Sequence, residues 1–298
     1  MALFLLASCI ANREDATPST LSPTRLIEVD GAVLEQISFD KQNKIYLQTI
    51  DLRRMQIDQI IEKVERKGSK SLYYPSLAGV SSPFFERLTT TAARSRYQEQ
   101  HPSTVFSIIN ASFFEEYQSS TRLSFPIKLN GALISGGSSP YGPIQNPANA
   151  YYRRVTLKAL VWDSDTVTIT PYDPATGYPL NQPEVKNALV SYDYRDHPAY
   201  VLADDPVNYY HVMGIVESEK DSKAGNQLLI ATAARSTLAQ AAAILRQRGV
   251  QGTIMTLDGG ISTYLWNVKA GNLVLPQVAA GEKVPALPHY LGIRAKDE

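Results

Sequence analysis

Two stretches hold residues suited to chemistry. The first, Thr253-Ile254-Met255-Thr256-Leu257-Asp258-Gly259-Gly260-Ile261-Ser262-Thr263, is a β-branched apolar run cut off by an acid, two glycines and a Ser-Thr pair. Read as a short buried strand, it delivers Asp258 to a strand end, where a carboxylate can face a cleft. Gly259 and Gly260 lack Cβ, so the backbone can turn sharply and a ligand can approach the amides. Ser262 and Thr263 add hydroxyl donors. The second stretch is Val105-Phe106-Ser107-Ile108-Ile109-Asn110-Ala111-Ser112-Phe113-Phe114. Its continuous apolar run predicts a central strand, which Asn110 ends with a carboxamide that both donates and accepts. An amide from one strand tip and an acid from another would frame a pocket that welcomes an anion. Two rival chemistries use nearby residues. A serine hydrolase would combine Ser262 with His289 and Glu282, but the second glycine of a nucleophile elbow is missing. The four histidines, His101, His197, His211 and His289, lack zinc-ligand spacing. The residues specify no definite cofactor, and a carboxylate beside phosphate oxygens can hold Mg²⁺ or Ca²⁺.

Those tips need a sheet to hold them. Lys44–Asp51 alternates as a half-buried strand, and Val29–Leu34 reads as a turn into another. Met55–Lys67 places Ile57, Ile60, Ile61 and Val64 at helical spacing and is read as a helix. Pro83–Gln100 predicts a second helix, opened by Ser81-Ser82-Pro83. Ile127–Ile134 carries Asn130-Gly131, the signature of a type I′ hairpin. Gly136–Pro143 reads as a loop, and its glycines lack the context of a nucleotide-binding turn. Strands are expected at Val155–Val161, Thr166–Pro171, Ala188–Tyr192, Val212–Val216 and Leu228–Ile230, with Tyr290–Arg294 closing a sheet. Thr237 and Gln240 have capping-box spacing, so a helix runs from there to Arg248 and stops at Gly249. The fold class is α+β: mixed, largely antiparallel sheets with a few flanking helices, in a single domain.

With 298 residues, 44% of them hydrophobic and 19% charged, the chain can bury a substantial core. Lys+Arg and Asp+Glu balance at 29 each, so no overall field favours nucleic acid. Ala2–Cys9 is apolar and far too short to span a bilayer, which takes about 20 residues. Leu6-Ala7-Ser8-Cys9 resembles the lipobox of bacterial lipoproteins, which implies acylation of Cys9 and export to the cell envelope. Residues 1–24 are therefore read as a lipoprotein-like signal followed by a tether rich in Thr, Ser and Pro, and 25–298 as the folded domain. The single cysteine permits no internal disulfide.

Asn110-Ala111-Ser112-Phe113-Phe114, the glycine-bearing strand Val212–Val216, the Thr-Leu helix start at Thr237 and Leu257-Asp258-Gly259-Gly260 occur in this order. In this respect the chain resembles the phosphodiester glycosidase family over roughly Ile45 to Arg294. The resemblance implies hydrolysis of a glycosyl phosphodiester at the anomeric carbon. By matched position it implies a pocket lined by Asn110, Asp258, Gly259, Gly260, Ser262 and Thr263. The chain departs from the family at Ala111 and Ile261, where glycine is usual. It departs again at Asn208-Tyr209-Tyr210-His211, where an Arg-Thr pair is usual. His211 or Arg235 is then the expected substitute partner for phosphate. The phosphate leaves as a stabilised anion, so one carboxylate, Asp258, suffices to activate water or to stabilise an oxocarbenium-like state. The other reading is a surface lipoprotein that binds glycans without cleaving them.

Overall fold

The computed structural model describes residues 22–64, 83–115, 119–137, 155–197, 208–217, 224–278 and 281–297. Cys9, most of the expected tether, the expected helix opening at Ser81-Ser82 and positions 138–143 lie outside them. Strands are numbered in chain order. A first sheet runs β1 (Thr24–Val29), β2 (Ala32–Ser38), β3 (Lys44–Asp51), β17 (Gln227–Ser236), β15 (Asn208–Val216) and β18 (Met255–Thr256). A second runs β11 (Ala132–Gly136), β10 (Pro126–Leu129), β14 (Asn187–Tyr192), β12 (Leu157–Trp162), β13 (Val167–Pro171) and β16 (Ala224–Gly225). The third runs β20 (Gly271–Val274), β19 (Leu265–Asn267), β8 (Val105–Asn110), β22 (His289–Ala295) and β4 (Met55–Ile61). Two small sheets join β5 (Lys63–Val64), β6 (Phe84–Glu86) and β9 (Ser120–Thr121), and β7 (Leu88–Thr89) with β21 (Ala286–Leu287). All registered pairings are antiparallel. The α-helices among the described residues are α1 (Thr90–Gln100) and α2 (Leu238–Gln247). The chain is a single α+β domain of largely antiparallel sheets.

One hydrophobic core draws on all three large sheets, with Tyr46, Met213 and Ile230 from the first, Ile127, Leu160 and Leu189 from the second, and Ile109, Leu265 and Leu291 from the third. Helix α2 buries Leu238, Ala241, Ala242 and Leu245 against the outer face of the first sheet, beside Ile45, Val212 and Ala231. Helix α1 covers the outer face of the third sheet through Ala93 and Tyr97, which meet Ile108 and Tyr290. Strand β3 is therefore buried on both faces rather than alternately exposed, because it lies between β2 and β17 with cover on each side.

Local signals hold where the local chemistry is strong. Asn130 and Gly131 take φ of 49° and 81°, the positive values of the hairpin turn between β10 and β11. Thr237 and Gln240 form a capping box on α2. Two expectations fail. Met55–Ile61 is a strand, not a helix, because seven consecutive residues pair with β22 from Met55↔Ala295 to Ile61↔His289. Isoleucines suit a pleated surface, and long-range pairing outweighs their helical spacing. The second expected helix begins at Thr90, since Phe84–Glu86 and Leu88–Thr89 are strands and Thr89, not Ser81 or Ser82, caps it by accepting from Ala92 N–H.

Strand β4 is an edge strand of the third sheet, yet its carbonyl row is not bare. The indole Nε1–H of Trp162 donates to Ile57 O at 3.0 Å, and Gln59 Nε2 donates to Lys128 O at 2.8 Å. Gly292 of β22 lies under Tyr97, whose hydroxyl reaches Asp58 at 2.8 Å. A Cβ on Gly292 would come within 2.3 Å of that ring. Gly292→Ala is therefore expected to destabilise the fold by about 1–3 kcal/mol in chemical denaturation, with the slope of the transition unchanged.

Candidate active site

The site is built where the first and third sheets meet. Strand β18 pairs with β15 for two residues only, Met255↔Met213 and Thr256↔Val212, shorter than the expected Thr253–Leu257 run. The chain then crosses over. Leu257 N–H donates to His211 O at 3.0 Å in the first sheet, and Asp258 N–H donates to Ala111 O at 2.9 Å, just past β8 in the third. Asn110 secures the crossing. Its Nδ2 donates to Asp258 O at 2.8 Å, and its Oδ1 accepts from Tyr264 N–H and from His211 Nε2, both at 2.7 Å. The Tyr264 amide can only donate and the Asp258 carbonyl can only accept, which settles the orientation of the carboxamide. His211 must then carry its proton on Nε2, leaving Nδ1 to accept from the Thr232 hydroxyl at 3.0 Å. Burial pushes His211 down to about pKa 3, so the ring is neutral.

Asp258 is 8% exposed. Burial raises its carboxyl to about pKa 7, against the opposing pull of hydrogen bonds from Ser262 and Gly259 N–H. Gly260–Ser262 forms one 3-10 turn, opened by Gly260 at φ 61°, a value that suits glycine. Gly259 passes close to β15, since a Cβ there would lie 3.1 Å from Tyr209 O. Thr263 Oγ1 is buried without a hydrogen-bond partner, while Ile261 is 42% exposed.

The expected site residues divide into two groups. Asn110, Asp258, Gly259, Gly260, Ser262 and Thr263 are brought together, but Asn110, expected to donate to phosphate or sugar, turns its carboxamide to the Asp258 carbonyl, Tyr264 N–H and His211 instead. His211 belongs to the same cluster, but it is wholly buried with both ring nitrogens engaged, so it positions Asn110 and offers no nitrogen to an anion. Arg235 is an exposed bulge residue at φ 60°, between Ala234 and Ser236. Its charge is felt at Asp40, whose carboxyl is held low first by the Asn43 and Gln42 amides and to a lesser degree by Arg235. The proposed serine triad is not assembled: His289 Nδ1 lies 2.7 Å from Ser112 Oγ, and Glu282 is paired with Arg87. Among the described residues no group of three or more His, Cys, Asp or Glu could hold a metal ion. Thr232 and the Tyr264 amide were not anticipated. The available signal was polar residues inside apolar strands, Thr232 among Leu228–Ala234 and His211 before Val212.

No family model matches the chain, and no curated protein matches it. Two solved structures are similar to it at low identity. One is a hypothetical protein from Synechocystis, 12% identical, with a TM-score of 0.45 over 93% of this chain and 64% of that one. The other is the catalytic domain of zebrafish N-acetylglucosamine-1-phosphodiester alpha-N-acetylglucosaminidase, auto-inhibited by its pro-peptide. It is 11% identical, with a TM-score of 0.48 over 93% of this chain and 83% of that one. The chain thus spans just under two thirds of the Synechocystis protein.

Two outcomes follow from this geometry. Asn110→Ala leaves the Tyr264 N–H and the Asp258 carbonyl unmet and is expected to cost about 2–4 kcal/mol in denaturation. For Asp258, the folded pKa lies above the unfolded value near 4, so its stabilising contribution is complete below pH 4 and is lost as pH rises to about 7. Relative to wild type, Asp258→Asn should gain stability across that window by up to about 1.4 kcal/mol per pH unit, and then level off.

Proposed function

We propose that the chain is a hydrolase that cleaves a glycosyl phosphodiester at the anomeric carbon, with Asp258 as its carboxylate. The observation that carries this reading is a buried carboxyl at the sheet crossing, held by hydrogen bonds from Ser262 and Gly259 N–H, whose burial lifts it to about pKa 7. A sugar phosphodiester releases a phosphate monoester, a stabilised anion, so no strong general acid is needed. The ionised Asp258 either directs water onto the anomeric carbon or stabilises the oxocarbenium-like state. The Gly259 and Gly260 amides, with the Ser262 and Thr263 hydroxyls, are suited to hold the departing phosphate or the sugar. The orphaned Thr263 Oγ1 supports this role, since a buried hydroxyl without a partner is one a bound ligand can satisfy. Asn110 acts as a positioning residue through the Asp258 carbonyl.

The reading is tested by hydrolysis of UDP-N-acetylglucosamine and related sugar phosphodiesters, with and without a chelator. Asp258→Asn is expected to lower kcat by about 100-fold or more. The wild-type rate is expected to climb as pH rises through about 7, where the carboxylate forms. Full turnover by the variant would refute the assignment. Binding across the panel without turnover would make the domain a glycan-binding module instead.

A further inference from the structure

A cavity apart from the Asp258 crossing shares none of its residues. About 460 Å³ in volume, it is bounded by β4, by the C-terminal half of α1, and by the tip of the β10–β11 hairpin with Asn187. That volume lies in the range of small-molecule pockets. We propose that this cavity binds a neutral, hydroxyl-rich ligand, a monosaccharide or disaccharide unit.

Three observations support the assignment. The charges around the cavity are already matched. Asp58 receives Arg294 Nε and the Tyr97 hydroxyl, each at 2.8 Å, and Gln56 Nε2 at 2.7 Å. Arg96 is paired with Glu62. An anion such as a phosphate would find no spare cation at Asp58 or Glu62, and a lone cation would have to displace an established partner. Next, carboxamides make up five of the fifteen lining residues, Gln56, Gln59, Gln100, Asn130 and Asn187, beside apolar side chains such as Ile60 and Leu88. A carboxamide offers a donor and an acceptor side by side, a spacing that matches vicinal hydroxyls, each of which also donates and accepts. Finally, one of these acceptors is left without a partner. Gln59 Nε2 is committed to Lys128 O, but Gln59 Oε1 is buried and has no donor. A buried acceptor in that state costs about 1–3 kcal/mol, which a ligand hydroxyl would relieve.

The site does not depend on the hydrolase reading, and the experiment keeps the two apart. Saturation-transfer NMR on the full chain is run with glucose, galactose, mannose, N-acetylglucosamine, maltose and cellobiose, using inorganic phosphate as the anionic control. At least one sugar is expected to receive saturation, and phosphate is expected to leave its Kd unchanged. Gln59→Leu and, independently, Gln100→Ala should each weaken that Kd at least tenfold. Asp258→Asn, which tests the other site, should leave it within twofold. Denaturation curves establish that each variant is folded. Gln100 is exposed at the end of α1, so its variant probes the pocket even if Gln59→Leu unfolds. No transfer to any sugar, or binding that is lost in Asp258→Asn and kept in Gln100→Ala, would overturn the proposal.

Discussion

A buried carboxamide has few ways to be content, and Asn110 uses them to tie two sheets together. Its oxygen takes one proton from the Tyr264 backbone and one from His211, and its nitrogen gives one to the Asp258 carbonyl. Tyr264 leads into the third sheet, His211 belongs to the first, and Asp258 lies on the segment that passes between them. At 1% exposure no water stands ready to replace a lost partner, so each bond acts as a geometric condition. The crossing at Leu257 and Asp258 can take only a narrow range of positions while all three bonds are made. A carboxylate mounted on such a segment is placed by the core rather than by a loop.

The same exclusion of water acts in opposite directions on an acid and a base. It drives the His211 and His289 rings well below neutrality and lifts Asp258 into the neutral range. Near pH 7 the two imidazoles are therefore fixed in their neutral form, while the carboxyl responds to its surroundings. The neutral His211 is itself a structural requirement, since Nε2–H must face Asn110 while Nδ1 stays open for the Thr232 hydroxyl.

Much of this architecture could be read from the chain, and the boundary of legibility has a physical cause. The Asn130-Gly131 turn and the Thr237–Gln240 cap rest on backbone requirements within a few residues, so their sequence signals are direct. The apolar run of β8 and its termination at Asn110 were equally plain. Met55–Ile61 misleads because Ile57, Ile60 and Ile61, with Val64 beyond them, satisfy a helical period, while the partner that makes the segment a strand lies more than 200 residues away. The sequence brings Asn110 and Asp258 together, but it encodes neither the turning of the Asn110 carboxamide to the Asp258 backbone nor the role of His211. Its bond to Asn110 joins residues 101 positions apart on different sheets, and no local pattern encodes such a contact. A histidine and a threonine embedded in adjacent apolar strands were the visible trace of it.

The treatment of strand β4 has a consequence for how the molecule meets its neighbours. A strand at a sheet margin offers a template on which another polypeptide can lengthen the sheet, the first step toward fibrous aggregates. Here the Trp162 indole occupies the Ile57 carbonyl, and the Gln59 side chain reaches across to β10. A side chain of the second sheet thus caps a backbone carbonyl at the middle of the third sheet's margin, and a foreign strand would have to evict an indole before it could add a rung.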